Sequence, residues 1–346
     1  MTEEVKARRV SLAVKFDGVD ITGSMTPYLL SMTYSDSEED ESDSLDFVVQ
    51  DRGAVWLKDW LNKAVEATAA QRLTMSATIT PENWPGNGGP LPTGAFELDS
   101  VRASGPPSVI TIQGSSLGYG SSIRQTKKTK AWENISLSGI ANEIAGNAGY
   151  GCMYEAAYNP KYTRKEQNKK SDITFLSELC HDAGLSLKCT DGKIVLFDQS
   201  VYEALPPVMT IRRGGGQYET YDLSTGAAET QYGSCRVSYT DPATGKCIEG
   251  TAKADGEDGD SKQCLEITAR VESVGEAQAL AEKNLRLHNK YNRTATFTLP
   301  GNTALVAGVT VQLEDFGGWD GKYMVKKATH KVSGAYSVTI DLRKVL

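Results

Sequence analysis

The sequence contains no run of about 18 consecutive apolar residues, so nothing in it reads as a membrane-spanning helix or a membrane anchor. Its opening, MTEEVKARRVSLAVKF, leads with acids and lacks an apolar core, so no secretory signal is expected and folding should begin in a cytoplasm. Cysteine is sparse and scattered: Cys152, Cys180, Cys189, Cys235, Cys247 and Cys264 form no CxxC pair and no dense framework, which leaves free thiols as the expectation. A zinc site at Cys180, His181 and Cys189 lacks a second ligand pair, so no metal is expected. Histidine is rarer still, and His181, His288 and His330 have no GxSxG or HExxH beside them. GSSLGYGSS near Gly114 lacks the Lys-Ser/Thr of a phosphate loop, and the Gly214–Gly216 run reads as a loop between strands. DGEDGD at Asp255–Asp260 lacks the order and the closing glutamate of a calcium loop and reads as a solvated linker. Neither an enzyme nor a cofactor is indicated.

Charge excludes another class. A net charge of -7 argues against general nucleic-acid binding, which relies on neutralising phosphates. The distribution is uneven: residues 121–170 hold nine Lys or Arg against four Glu, a stretch that reads either as a solvated face or as a docking surface for an acidic partner. In contrast, TYSDSEEDESDSLDFVVQDR sets seven carboxylates between Asp36 and Asp46, directly against the alternating Leu45, Phe47 and Val49. Such a cluster could bind a cation, repel a neighbouring chain and so discourage wrong strand pairing, or keep a hairpin tip in water.

Strand patterning dominates the first 120 residues, with Val10, Leu12, Val14 and Phe16 alternating, then Tyr28–Tyr34, LTMSATIT, GAFELDSVRA and SVITIQGS. VWLKDWLNKAV interrupts them at helical spacing. From Trp132 the period becomes helical: a helix following Ser138 and ending at Gly149, then one capped by Ser171 or Asp172 and stopped at Gly184. LSLKCTDGKIVLFD predicts a hairpin over Asp191-Gly192. Ser273 and Glu276 form a capping box for a third helix, after which strands return to the end.

GAFELDSVRASGPPSVITI from Gly94 parallels GKYMVKKATHKVSGAYSVTI from Gly321, and MTYSD at Met32 parallels VSYTD at Val237. These matches predict a duplicated β unit whose second copy is split by a helical segment.

On VKFDGVDIT, the acidic tract with GAVWLKDW, TGAFELDSV, the Ser171–Asp198 block and VESVGEAQALAEKNLRLHNK, the chain resembles the bacteriophage late control protein D family, hubs of contractile tails. The Ser171–Asp198 pattern D-x-x-F-L-x-x-L-x-x-x-x-G-L-S-L is also similar to the hub part of type VI secretion spikes and to phage-tail-like bacteriocins. The resemblance implies a mainly β fold with an α+β insertion: two similar small antiparallel β-barrels, at 1–120 and at 206–243 with 292–346, around an α+β domain at 121–205 with 244–291. It further implies a homotrimer that joins a hexameric tail tube to a trimeric spike, with a spike protein, a tail tube or tube-initiator protein, a tape-measure protein and baseplate proteins as partners. Assembly would occur in the bacterial host cytoplasm and the product would sit in a virion tail or a released particle. The chain carries no needle-like extension after Leu346, so a separate spike is expected. Candidate partner contacts are Trp56, Trp60, Trp319, Tyr323, the basic Lys127, Lys128 and Lys130, and the acidic Glu38, Glu39, Asp40 and Glu41. The competing reading is a tail component that binds or degrades peptidoglycan through the middle domain.

Overall fold

The computed structural model describes residues 7–39, 41–56, 58, 73–84, 86, 88–118, 122–226, 231–240, 245–254, 261–271 and 273–346. The predicted helix over Val55–Val65 falls largely outside them.

The N-terminal unit holds β1 (Arg9–Phe16), β2 (Val19–Asp20), β3 (Leu29–Ser37), β4 (Ser44–Gln50), β5 (Thr74–Glu82), β6 (Leu91–Ser104) and β7 (Val109–Ser115). Alternation works as the sequence predicts: Leu45, Phe47 and Val49 of β4 are buried while Ser44, Asp46 and Val48 are less so. Apart from the short β2, which pairs with β1 alone, the strands run side by side as β1-β5-β6-β7-β4-β3, antiparallel throughout. Val14 at one edge and Met32 at the other share one apolar core, so the sheet curls on itself. Among the described residues no β1–β3 ladder closes it.

The middle region holds β8 (Lys127–Ser136), β9 (Gly151–Glu155), β10 (Lys161–Ser171), β11 (Ser186–Thr190) and β12 (Lys193–Phe197). Two helices, Leu137–Ala148 and Asp172–Asp182, pack on β9, β11 and β12 around Ile140, Ile144, Phe175, Leu176 and Leu179. Ser136, not Ser138, caps the first helix, and Gly149 ends it in the left-handed region at φ 75°. Ser171 caps the second by accepting from the Thr174 N–H. Both Asp191 and Gly192 have positive φ, as a tight two-residue hairpin turn demands.

The C-terminal unit holds β13 (Met209–Arg212) and β14 (Thr220–Thr225), then, after an excursion, β18 (Arg293–Pro300), β19 (Thr310–Glu314), β20 (Gly321–Ser333) and β21 (Ala335–Lys344). The excursion is a small unit of its own: β15 (Ser234–Thr240), β16 (Cys247–Lys253) and β17 (Cys264–Thr268) form a separate sheet under the helix Val274–Asn289. Residues 234–240, expected in the second barrel, therefore belong to this sheet. The match of VSYTD to MTYSD is thereby overturned: alternating polar and aromatic residues suit any half-buried strand and do not identify a repeat.

At Gly250 the β16 backbone lies against that helix, and an added Cβ would sit 2.3 Å from the Ala277 carbonyl carbon and the Gln278 nitrogen. Because the obstruction is backbone, Gly250→Ala should destabilise this unit by about 1–3 kcal/mol. Amide exchange should accelerate in the helix Val274–Asn289 and remain unchanged in β1–β7. Unaltered protection in the helix would contradict the close approach.

The other repeat holds, and in detail. The C-terminal unit runs β13-β19-β20-β21-β18-β14, the same order as β1-β5-β6-β7-β4-β3, differing only in that β13 meets β19 in parallel. In β6 an extra residue, Asp99, bulges between the pairs Leu98↔Gly114 and Ser100↔Gln113. In β20 the extra residue is Lys326, between Val325↔Leu342 and Lys327↔Asp341. Asp99 follows Gly94 by five residues and Lys326 follows Gly321 by five. A bulge at one position of both copies is a structural signature of duplication.

Beyond its bulge β20 changes partner. Residues Gly321–Met324 pair with β19, whereas Lys327–Val332 pair with Ser37–Met32 of β3. The two units are thus one continuous sheet, joined at a β3–β20 seam.

Candidate functional site

At that seam lies the acidic tract, and it is not a solvated tip. Asp36 is 5% exposed, Glu38 1%, Glu39 7% and Asp43 0%. A buried carboxylate is tolerated only with cations and donors around it, and here they converge from every other part of the chain. Glu38 takes a two-pronged contact from Arg343 of β21, Nη2 at 2.7 Å and Nε at 3.0 Å, while its own N–H donates to the Lys326 carbonyl. Arg343 also donates from Nη1 to Glu203 at 2.6 Å, and Glu203 is paired in turn with Arg286. Arg343 is 1% exposed, so this Glu38–Arg343–Glu203 group is dry.

Glu39 is paired with Lys290 and accepts from Ser186 Oγ at 2.6 Å and Tyr291 Oη at 2.8 Å. Burial pushes its carboxyl up, but the Lys290 charge and these hydrogen bonds outweigh that and hold it at about 2. Asp36 is paired with Lys188 and accepts from the Ala307 N–H at 2.9 Å. Asp43 accepts the Ser37 N–H at 2.9 Å and lies 3.8 Å from the same Lys188. With one lysine serving two acids, desolvation pushes Asp43 up to about 6. Among the described residues of the tract Glu41 reaches toward solvent, and it too meets Lys327, at 2.7 Å.

The hairpin therefore joins the N-terminal unit to β20 and β21, to the middle domain through Lys188, Ser186 and Glu203, and to the end of the helix Val274–Asn289. Beside it, His330 is 0% exposed and stacks on Tyr34 across the seam, with ring centroids 5.9 Å apart. Its two nitrogens contact Tyr336 Oη and the Leu305 carbonyl, each at 2.9 Å. Desolvation lowers its pKa to about 4, although the Leu305 contact and Asp36 oppose this, so the ring is neutral near pH 7.

The other candidate contacts are dispersed. Trp56 is a buried member of the first core and Tyr323 of the second, which corrects their expected role: neither side chain has a free surface to offer. Trp319 is half-buried against the second core. Trp60 and Asp40 lie outside the described residues. Lys127, Lys128 and Lys130 lie on β8, which pairs with β10 as a two-stranded ribbon. Lys128 is paired with Asp172, and Lys130 with Glu143 while lying over the Trp132 ring. Much of the basic stretch is thus neutralised locally: the exposed Lys130–Glu143 pair contributes little, whereas Lys128 serves a buried Asp172.

Sequence reasoning missed the cations of the acidic site because they are remote: Lys188, Lys290 and Arg343 stand 152, 251 and 305 residues from their acids.

The family model for the phage tail baseplate hub (GPD) matches residues 120–336. The chain belongs to the phage tail baseplate hub family. Among curated proteins, it is 26% identical over 224 residues to the probable baseplate hub protein of Escherichia phage P2, covering 62% of this chain and 53% of that one. To the probable baseplate hub protein of Escherichia phage 186 it is 23% identical over 225 residues, covering 61% and 52%. The match spans about half the length of those hub relatives. Among solved structures, a tail protein from Neisseria meningitidis MC58 shares the fold with a TM-score of 0.69 at 13% identity, covering 97% of this chain and 96% of that one. The 43 kDa tail protein of prophage MuSo2 from Shewanella oneidensis does so at 0.65 and 14%, covering 96% and 97%. An E. coli type VI secretion component has a TM-score of 0.53 at 10% identity, covering 96% and 77%.

Proposed function

We propose that this hub is an adaptor in which three chains, each with two equivalent β units, present a ring of six to a tail tube and three-fold surfaces to a spike. The observation that carries the reading is the duplication: one strand order, with one bulge at one position, in both units. Six near-equivalent modules from three chains satisfy a six-fold neighbour and a three-fold neighbour at once. The buried acidic hairpin supports it too, because it fixes the relative placement of the two modules, and a ring built from pairs requires every pair to be alike. The middle domain and the small β15–β17 unit then lie outside the ring, with spike, tube, tape-measure and baseplate proteins as partners on its faces. The test is native mass spectrometry of the full chain, alone and with the neighbouring spike and tube proteins. A three-chain species is expected. A two-chain or four-chain species, or a single chain under all conditions, would overturn the adaptor reading.

A further inference from the structure

The seam inside one chain is a template for a seam between chains. Rows of paired residues align the copies: Phe47, Ile112 and Val101 lie side by side in the first, Phe297, Ile340 and Ala328 in the second. By this alignment Lys327–Lys331 of β20 correspond to Ser100–Ser104 of β6, and Thr33–Asp36 of β3 correspond to Asp222–Thr225 of β14. In β20 the stretch past the bulge is occupied by β3. In β6 the corresponding stretch pairs with β7 alone among the described residues, and Arg102, Ala103 and Ser104 are exposed. β14, the counterpart of β3, ends the sheet: it pairs only with β18 among the described residues, and Tyr221 is 43% exposed.

We propose that the post-bulge edge of β6 in one chain pairs antiparallel with β14 of a second copy, in the register of the β3–β20 seam. Resting on the adaptor reading, this assigns its chain-to-chain contact. Transferring the pairs Ala328↔Asp36, Thr329↔Ser35, His330↔Tyr34 and Lys331↔Thr33 gives Val101 opposite Thr225, Arg102 opposite Ser224, Ala103 opposite Leu223 and Ser104 opposite Asp222. The faces agree. Val101 and Ala103, with Leu223 and Tyr221, fall on the side that carries the buried Ala328 and His330 in the template. On the other side Arg102 is diagonal to Asp222, close enough for an ion pair. A one-residue slip would set Arg102 against Leu223 and exchange the two faces. Pairing also covers an edge of unfilled N–H and C=O groups that otherwise invites indiscriminate association. Six strands separate β6 from β14 in the sheet order of one chain, so the contact is between molecules. Being head-to-tail, it generates a ring when its rotation closes, and closure after three chains is what the adaptor reading requires.

The experiment mixes two full-length single variants, Ala103→Cys and Leu223→Cys, under mild oxidation, each alone setting the background from the exposed Cys247 and Cys264. The mixture should yield a disulfide-linked chain pair, and the double variant a closed covalent trimer. Ala103→Cys mixed with Thr225→Cys, about 7–8 Å apart on the diagonal, should give about tenfold less product. Independently, Arg102→Glu should reduce the three-chain species and Asp222→Arg in the same chain should restore it. A three-chain mass with background cross-linking, or with the shifted pair favoured, overturns this contact while leaving the adaptor intact. A single-chain mass alone and beside spike and tube overturns both.

Discussion

Replacing Arg343 by alanine is expected to lower stability by about 3–5 kcal/mol, because it leaves Glu38 and Glu203 as buried charges without their shared cation. All three side chains are at most 3% exposed, so water cannot take the place of the guanidinium. The loss corresponds to a fall of about 6–20 °C in the thermal midpoint of the cooperative β1–β7/β18–β21 sheet. Arg343→Lys should recover part of it, since a lysine restores charge but not the two-pronged contact. An exposed pair supplies the control: Arg212 meets Glu314 with its side chain 62% exposed, and Arg212→Ala should leave the midpoint where it was. Equal effects from the two alanine variants would mean that the buried group is not what ties the hairpin down.

The second large effect is in the response to acid, and it is revealed by substitution. His330 has a folded pKa of about 4 against an ordinary 6.5, so its contribution is fully present above about 6.5 and is lost as pH falls through 4. Asp43 runs the other way: raised to about 6 from 3.8, it contributes below 3.8 and loses that contribution as pH rises through 6. The two nearly cancel between pH 6.5 and 4. Glu39, held at about 2 against 4.5, contributes above 4.5 and loses that as pH falls through 2. Denaturant titrations should therefore give a flat profile from pH 7 to about 4.5, then a steep fall. Asp43→Asn, whose amide oxygen still accepts the Ser37 N–H, should expose the histidine and lose about 3 kcal/mol between pH 6.5 and 4. His330→Gln should do the reverse and gain stability on mild acidification. A variant profile as flat as that of the parent would refute the cancellation.

Much of the fold was legible because local chemistry writes it. Alternation of Leu45, Phe47 and Val49, the cap at Ser171, the Asp191-Gly192 turn and the Ser273 cap act within a few residues of themselves. The Gly94 and Gly321 segments were legible as a repeat because each needs a bulge and a turn at fixed spacing, a constraint that alternation alone does not impose. The short VSYTD match carried no such constraint and misled. At the site, acidic density pointed to the right residues and the wrong environment. Whether a carboxylate is solvated or dry depends on where cations are brought from, and Lys188, Lys290 and Arg343 arrive through tertiary packing. Trp56 and Tyr323 illustrate the converse, since aromatics anchor interfaces and fill cores with equal facility.

Lys326 is one surplus backbone residue, and at it a single strand leaves one ladder for another. The pitch between neighbouring modules is consequently set by strand arithmetic and hardly by side-chain identity. Sequence at the surface can drift freely while that count is preserved, whereas deleting one residue there would re-aim half the molecule.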